Sequence, residues 1–274
     1  MVTHIPYQET GYFSKLIIDY LNEKNSLQNL YNRFPKIENF KDQILEKKQS
    51  FSTESRNILV DELRIQNQQI TLSDISKSNI DLLLKPSTFT ITTGHQLCLF
   101  TGPLYFIYKI VSTIKLCKEL KVKYPDYHFV PIYWMASEDH DFDEVNHFWF
   151  KNKKISWQQN NAGAVGEIPT QSLEETFLYF SSVIGAGINA EKLKKIFEKS
   201  YLEHSNLADA TRFLVNELFG NQGLVILDGN SKALKNKFVP YLKKEIEEQI
   251  SYKKVSETIS NFEYEIQVNP REIN

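Results

Sequence analysis

The sequence has only 2 cysteines, Cys98 and Cys117. Two thiols cannot form the framework of several disulfides that stabilises small secreted domains. The sequence also has no CxxC pair and no group of histidines with the spacing of zinc ligands. These absences argue against a disulfide-stabilised extracellular protein and against a structural zinc site.

Glycine and proline are scarce as well, with 10 and 9 residues, which argues against a fibrous or linker-rich chain. No segment has the roughly 18 consecutive apolar residues that a membrane-spanning helix needs. Residues 1–11 lack the basic and then apolar pattern of a signal peptide. We therefore expect a cytoplasmic protein that does not act in a membrane.

The sequence lacks an excess of charge of either sign, since the net charge is -2 at pH 7. A chain with this balance has no general attraction to phosphate backbones, so a nucleic-acid partner is not expected. The one basic cluster, Lys151, Lys153 and Lys154, is typical of a hairpin tip in solvent.

Apolar residues are plentiful, with 41% hydrophobic and 13% aromatic content, and they predict a globular core in one large domain or two ordinary ones. Apolar spacings of three and four residues predict early helices over residues 12–21, 37–48, 53–66 and 78–84. For the third of these helices, Thr53 is the predicted N-cap. Its Leu63 is expected to face inward, with Arg56 and Asn67 on the polar side.

The centre of the chain, from Thr92 to His147, predicts a strand, a helix and a second strand. The β-branched run 88–93 should be a strand, and Gly94 should allow the tight turn after it. The helix is expected to begin at Pro103, and residues 129–135, apolar on both faces, predict a buried parallel strand.

A third short strand is predicted over residues 223–229. The sequence thus predicts an α/β fold with a parallel sheet. Loops at the carboxyl ends of neighbouring parallel strands face one crevice, where ligands bind.

The remaining patterns are weaker. They predict a hairpin of residues 147–150 and 155–158, and helices over residues 173–183, 190–201, 205–219 and 231–260. Alternating apolar residues from Phe262 to Val268 predict a strand. Because nothing follows Asn274 to cover the edge of that strand, we expect a truncated chain.

The first candidate loop contains Thr93, Gly94, His95 and Gln96, and Thr101 and Gly102 follow it. Backbone N–H groups here and at the start of the next helix are candidates to bind a phosphate or a carboxylate. Thr92 to His95 also fits the T-x-G-H pattern of nucleotidyltransferases, in which the histidine stabilises charge on a phosphate. The alternative is a histidine that is bonded to a neighbouring backbone carbonyl.

The second candidate loop, residues 138–144, places five carboxylates in seven residues. Two unit charges about 4 Å apart repel by about 4 kcal/mol at an effective dielectric near 20, so the five cannot all be buried, close together and ionised. Either the loop is exposed, or a bound ammonium group, a metal ion or a carboxyl of raised pKa relieves the repulsion. The candidate catalytic residues are Glu138, Asp139, His140 and Asp141. Three adjacent ligands converge poorly on one ion, so no metal site is expected.

The helix between the strands carries Tyr105 and Lys109 on one polar face, where they could bind a carboxylate or phosphate or simply extend into solvent. Trp134 and Asp228, near the ends of predicted strands, are further candidates for substrate binding. Cys98 lies among apolar neighbours and is expected to be an inert core thiol.

Three stretches give the chain a family resemblance: TGHQLCLFTGPLYFIYKIVSTIKL, VPIYWMASEDHDFDEVNH and the closing NFEYEIQVNPREIN. They resemble the bacillithiol biosynthesis cysteine-adding enzyme family, whose members are longer, so the resemblance implies an amino-terminal portion. It also implies a Rossmann-like core with inserted segments and a helical coiled coil. The implied segments are a helical start (1–85), the first part of the core (86–146), an inserted connecting segment (147–203), a return to the core (204–230) and the start of the coiled coil (231–274).

The activity that this resemblance implies joins L-cysteine to the amino group of glucosaminyl malate, which forms the thiol bacillithiol. Activation of a carboxylate implies ATP or another nucleotide with its magnesium, and no other metal. Gly94, His95 and Gln96 match the glycine loop of the family, and residues 138–141 match its acidic loop. Many members carry glutamine where this chain has His95, so histidine-dependent adenylyl transfer is not implied for the whole family.

Two alternatives stay open at the level of sequence. One is another adenylyl or nucleotidyl transferase on the same core, and the other is a non-catalytic fragment that only binds ligand. The expected partners are small molecules, without nucleic acid or membrane, and a homodimer is also considered.

Overall fold

The computed structural model describes residues 3–159 and 163–272. The helices in chain order are α1 (Tyr7–Thr10), α2 (Lys15–Leu21), α3 (Phe40–Ser50), α4 (Thr53–Gln66), α5 (Asp74–Leu82), α6 (Tyr105–Lys123), α7 (Phe142–Val145), α8 (Leu173–Ile184), α9 (Ile188–Phe197), α10 (Leu207–Phe219), α11 (Lys232–Glu248) and α12 (Ile250–Ser260). The strands are β1 (Thr88–His95), β2 (His128–Met135), β3 (His147–Phe150), β4 (Lys153–Ser156) and β5 (Val225–Asp228). The chain divides into two compact units, one of Met1–Leu45 with Lys237–Asn274 and one of Glu46–Asn236.

A parallel sheet organises the unit Glu46–Asn236. Its strand order is β1-β2-β5, with Thr88 opposite His128 at one end and Met135 opposite Asp228 at the other. The three strands therefore run the same way and end side by side. This confirms the predicted α/β fold with a parallel sheet.

Apolar side chains on both faces of the sheet bury it between helices. One face packs against α4 and α5 through Val60, Leu63, Ile80, Leu83, Val130, Ile132, Val225 and Leu227. The other face packs against α6 and α10 through Phe106, Ile110, Ile114, Tyr133, Met135, Leu214 and Ile226. Each such side chain contributes about 1.5–3 kcal/mol when it is fully buried. This arrangement explains the continuous apolar run of β2, because successive residues of the strand pack alternately against the helices on the two faces of the sheet.

Two side chains, one in α4 and one at its C-terminal cap, lie opposite to the sequence prediction. Arg56 is buried, and its Nη1 donates to the carbonyl oxygens of Leu83 at 2.8 Å and Thr88 at 3.1 Å. Asn67 is also buried, with its amide donating to the Leu63 carbonyl at 2.7 Å. These polar groups can face inward because their buried N–H groups find backbone carbonyls as acceptors.

Several predicted boundaries are wrong. The N-cap of α4 is Ser52 rather than Thr53, because the Ser52 hydroxyl accepts from the Ser55 N–H at 3.1 Å. Helix α6 begins at Tyr105 and not at Pro103, since the chain before it is a 3-10 turn with left-handed residues. β1 continues through Gly94, so the predicted turn at that glycine is wrong as well.

The hairpin pairs β3 with β4, and His147 lies opposite Ser156. Its second strand lies two residues earlier than predicted, and it ends at Ser156 because the indole N–H of Trp157 donates to Ser172 Oγ at 2.7 Å. The lysines at and beside the turn are exposed, as predicted.

The unit of Met1–Leu45 and Lys237–Asn274 differs most from the sequence prediction. The single helix predicted over 231–260 is two helices, because Gln249 adopts a left-handed φ of 50° between α11 and α12. The strand predicted for the tail is absent from residues 261–272. Its apolar residues Phe262, Ile266 and Val268 instead line a groove with α12, and the Tyr264 hydroxyl donates to Asp19 at 2.8 Å. The coiled coil and the five-segment division stay predictions.

None of the helices in the described parts of the chain is both long enough and apolar enough to cross a membrane.

Candidate functional site

The candidate site lies where β1, β2 and β5 end. Gly94 is opposite Trp134, His95 is opposite Met135, and Met135 is opposite Asp228. The structure therefore brings the ends of all three strands together, with the glycine loop, the acidic loop and the residues after β5 on one edge of the sheet.

Gln96 joins the first two loops. Its side-chain amide donates to Asp139 Oδ2 at 2.9 Å and to Glu144 Oε2 at 2.7 Å. One amide group thus lies between two carboxylates and reduces their mutual repulsion. Such bonds to charged acceptors are stronger than those between neutral groups, so Gln96 fixes the glycine loop beside the acidic loop.

Asp139 has partners for both carboxylate oxygens. Oδ1 accepts from the backbone N–H groups of His140 at 2.7 Å and Asp141 at 3.1 Å, while Oδ2 accepts from Gln96. The Asp141 N–H, with the Gln96 amide as a further donor, lowers the pKa of Asp139. For Asp139 the hypothesis of a carboxyl with raised pKa is wrong, because hydrogen bonds to the ionised form favour it. Its position indicates that it holds the loop in shape.

The other acidic-loop candidates differ in their freedom. Asp141 caps the short helix α7, and its Oδ1 accepts from the Glu144 N–H at 3.3 Å. The His140 side chain is 90% exposed and lies 4.0 Å from Asp139. Glu138 is exposed, and its one polar contact among the described residues is a long one of 3.4 Å from Ser137 Oγ. Of these carboxylates, Glu138 is the most available to a ligand.

His95 is buried, with 9% of its surface exposed. Its Nδ1–H donates to the Gln96 carbonyl at 3.1 Å, which is the alternative interpretation from the sequence. Burial lowers the pKa of His95, and the nearby charge of Lys109 acts in the same direction. The ring is therefore held neutral near pH 7 and packs between Tyr105 and Phe106 at centroid distances of 5.1 and 5.2 Å.

Cys98 is close to His95 but does not form a nucleophilic pair with it. The sulfur lies 3.7 Å from Nδ1, and that nitrogen already carries the hydrogen donated to Gln96. Burial raises the pKa of Cys98 to about 11, so the group is a thiol at neutral pH. The expectation of a buried core thiol is confirmed.

The segment Phe100, Thr101 and Gly102 has three consecutive positive φ values of 47°, 69° and 44°. Such a conformation costs free energy in residues other than glycine. The hydroxyl of Tyr201, a buried residue, accepts from the Phe100 N–H at 2.8 Å and helps to hold the segment. A Cβ at Gly102 would lie 2.6 Å from the Cβ of Cys98, so this glycine is needed for packing.

Lys109 and Tyr105 lie on the exposed face of α6, as predicted. The ammonium group of Lys109 donates to the Gly94 carbonyl at 3.1 Å and lies 5.8 Å from the centroid of the Tyr105 ring. Lys109 therefore places a positive charge next to the glycine loop. Thr93 and Thr101 are half-buried, whereas the Trp134 side chain is 40% exposed at the end of β2.

Asp228 is the centre of a network that sequence reasoning missed. Its Oδ1 accepts from the Ser137 hydroxyl and from the Asn230 N–H at 2.9 Å, and its Oδ2 lies 3.6 Å from Arg212 Nη2. Arg212 is buried, with 4% of its surface exposed. A charged residue so close to the stripe Leu207, Ala210 and Leu214 was the available signal, but its partner could not be read from the sequence.

Gln66, at the end of α4, was also missed. Its amide donates to the Asp228 carbonyl at 2.9 Å and its Oε1 accepts from the Asp228 N–H at 2.9 Å. It thereby satisfies both backbone groups of the last residue of β5. These contacts fix the end of the strand without using the Asp228 carboxylate.

A polar cavity of about 450 Å³ opens beside Asp228. Its lining residues are Glu62, Gln66, Asp228, Asn230, Ser231, Lys232, Ala233 and Asn236. Among them the sequence singled out only Asp228. The available signal was the run of polar residues directly after β5, which parallel-sheet topology places at the ligand-binding edge.

No group of three or more histidine, cysteine or acidic side chains within residues 3–159 and 163–272 is arranged to hold a metal ion. The carboxylates of the acidic loop point in different directions. Asp139 accepts from backbone N–H groups of the loop, and Asp141 accepts from a backbone N–H of α7.

Comparison with known proteins gives the family. The family model for the N-terminal Rossmann-like domain of bacillithiol biosynthesis BshC matches residues 1–274. The chain belongs to this family. The resemblance seen in the sequence is thereby confirmed, and so is the Rossmann-like character of the parallel sheet.

Individual BshC proteins that are similar in sequence support the same family assignment. A Flavobacterium psychrophilum protein named "Putative cysteine ligase BshC" is 61% identical over 272 residues, which cover 98% of this chain and 51% of that protein. The protein of the same name from Flavobacterium johnsoniae is 58% identical over 271 residues, with coverage of 98% and 51%. One from Bacillus cereus is 30% identical over 256 residues, with coverage of 90% and 46%. The chain spans about half the length of the curated BshC relatives it matches.

Proposed function

We propose that this chain provides the substrate site of a ligase that joins L-cysteine to the amino group of glucosaminyl malate and so forms bacillithiol. The observation that carries the proposal is the Gln96 amide bonded to two carboxylates, because it fixes the glycine loop, the candidate anion site, beside the acidic loop. An amine and an activated carboxyl group need such neighbouring sites. Membership of the BshC family supports the same reaction.

Glu138 is the residue we assign to the amine. It is exposed beside Asp228 and Ser137, whereas Asp139 and Asp141 are occupied by hydrogen bonds within the loop. A carboxylate in this position can orient an ammonium group and accept a proton from it. The neutral amine nitrogen then attacks the activated cysteine carbonyl carbon, the C–N bond forms and the activating group leaves.

The glycine loop suits the anionic partner of this reaction. A Cβ at Gly94 would meet nothing closer than 3.9 Å, so the fold leaves open surface at this backbone, and Lys109 places a positive charge beside it. Thr93, Gly94, Gln96 and the exposed ring of Trp134 would hold ATP or another nucleotide there. Bound in this loop, the nucleotide would supply the activation of the cysteine carboxyl group.

The decisive assay uses these 274 residues within a chain of the length that the relatives have, with L-cysteine, glucosaminyl malate and ATP. Mass spectrometry should detect a new amide whose formation needs both substrates and the nucleotide. Absence of product with every nucleotide tested would contradict the proposal.

Isotope exchange between ATP and pyrophosphate separates this ligase from a general adenylyl transferase. We expect any exchange to depend on L-cysteine. Exchange at full rate without cysteine would favour the other transferase.

A further inference from the structure

The cavity beside Asp228 has an unusual lining for a small-molecule site. Its residues are polar or charged except for Ala233, and none is aromatic. A nucleobase usually binds against aromatic or large apolar side chains, and none of these line the cavity. Its lining suits a ligand covered with hydroxyl and charged groups.

Some lining side chains already have partners, whereas three others are free to bind such a ligand. Among the occupied ones, Gln66 uses both of its amide atoms on the backbone of Asp228. Asn230 donates to Glu167 at 3.3 Å, and Ser231 Oγ accepts from the Leu234 N–H at 3.3 Å. In contrast, the side chains of Glu62, Lys232 and Asn236 have no hydrogen bond or ion pair to any residue in the described part of the chain.

The charges in the cavity are mixed. The carboxylate of Asp228 faces buried Arg212 at 3.6 Å and accepts from Ser137, so much of its charge is already compensated. This leaves one carboxylate, Glu62, one ammonium group, Lys232, and one neutral amide, Asn236. The complementary ligand carries an ammonium group, a carboxylate and hydroxyl groups.

The size of the cavity also limits which ligands it can bind. A volume of about 450 Å³ falls in the usual range of small-molecule sites, about 300–1,000 Å³. It exceeds what one small amino acid would fill. The cavity also adjoins the proposed amine site. Gly229 lies between the lining residues Asp228 and Asn230, and a Cβ at Gly229 would lie 3.3 Å from Glu138 Oε1 and 2.6 Å from the Trp134 ring.

We propose that this cavity binds the amine-bearing substrate, an amino sugar that carries carboxylate groups. Lys232 binds a carboxylate, Glu62 and Asn236 bind ring hydroxyls, and the amino group lies at Glu138. The assignment rests on the proposed function, since that reaction supplies a substrate of this class.

The test measures binding of glucosaminyl malate to the 274-residue chain by calorimetry. Glu62→Gln and Lys232→Met should each raise the Kd about tenfold, which is the loss of one charged contact of about 1.4 kcal/mol. The matched controls Asp61→Asn, on the same helix as Glu62, and Lys244→Met, on the same helix as Lys232, should change it less than about twofold. Binding of L-cysteine and ATP should be unchanged in all four variants.

Unchanged affinity for glucosaminyl malate in Glu62→Gln and Lys232→Met would overturn the assignment, as would no binding by the unmodified chain. Loss of ATP or L-cysteine binding in these two variants would assign the cavity to that ligand instead. If the ligase assay gives product but the KM for glucosaminyl malate is the same in both variants, the proposed function stands and the cavity assignment fails.

Discussion

Gly94 and Gly102 flank the same loop but serve different purposes. Gly94 lies inside β1, where a Cβ would have 3.9 Å of space, whereas a Cβ at Gly102 would collide with Cys98 at 2.6 Å. Gly102 also has a φ of 44°, in the left-handed region. The fold therefore requires Gly102, while the lack of a side chain at Gly94 leaves room for a ligand.

Replacing each glycine by alanine should separate these roles. Gly94→Ala should leave the free energy of unfolding within about 1 kcal/mol, since glycine within a strand is not itself stabilising. It should lower ligase turnover about tenfold or more, because a methyl group would occupy the ligand surface. Gly102→Ala should lower the free energy of unfolding by about 1–3 kcal/mol. Urea unfolding and the ligase assay measure the two effects, and a Gly94→Ala variant with normal turnover would contradict this role.

His95 makes stability depend on pH in a defined direction. Burial lowers its pKa below the ordinary value of 6.5, so the unfolded chain binds this proton before the folded chain does. The stability contributed by neutral His95 is present above about pH 6.5 and is lost as the pH falls toward the lower pKa of the folded state. His95→Gln should therefore lose less stability than the unmodified chain between about pH 7.5 and 5.5 in urea unfolding. Equal losses would contradict the burial of a neutral imidazole.

At the scale of elements, Gln96 links the end of β1 to the loop around α7. Gln96→Ala should destabilise the chain by about 1–2 kcal/mol, because Asp139 and Glu144 lose their shared donor. Hydrogen exchange should rise in residues 137–146. The control Gln69→Ala, at an exposed residue without a polar partner in the described chain, should change stability by less than about 0.5 kcal/mol. Unchanged exchange in the acidic loop would show that Gln96 does not hold it.

Arg212 links α10 to the end of β5 through Asp228. Arg212→Met should cost about 3–5 kcal/mol, because it leaves the Asp228 carboxylate without its buried cation. The double variant Arg212→Met with Asp228→Asn should recover part of this loss, since no uncompensated charge remains. A double-mutant cycle by urea unfolding measures the coupling. A cost below about 1 kcal/mol for Arg212→Met would contradict the role of this pair.

Over the whole molecule, the sequence was sufficient where local patterns decide the structure. The β-branched and apolar runs predicted β1 and β2, and parallel topology then placed the residues of both candidate loops and Asp228 on one edge. The orientations of Arg56, Asn67 and Arg212 were not predictable in the same way. Two of them bind partners distant in sequence, and helical periodicity gives no information about such contacts. The tail was misread because alternating apolar residues can line a groove as well as form a strand.

The same limit applies to the site. The sequence identified the acidic loop, but only the hydrogen bonds of Asp139 and Asp141 leave Glu138 as its most available carboxylate. The contacts of Gln66 and Ser137 with Asp228, and the position of the free side chains in the cavity, come from the packing of α4, β2 and β5. The sequence alone does not show this packing. The site is thus an assembly of strand ends, and the proposed reaction depends on one side chain in it, Glu138.

The most direct test of the role of Glu138 is the rate of amide formation by Glu138→Gln in the ligase of full family length. We expect kcat to fall about 100-fold or more, while Asp143→Asn in the same loop changes it less than about threefold. A Glu138→Gln variant that forms the amide at the unmodified rate would contradict this role of Glu138.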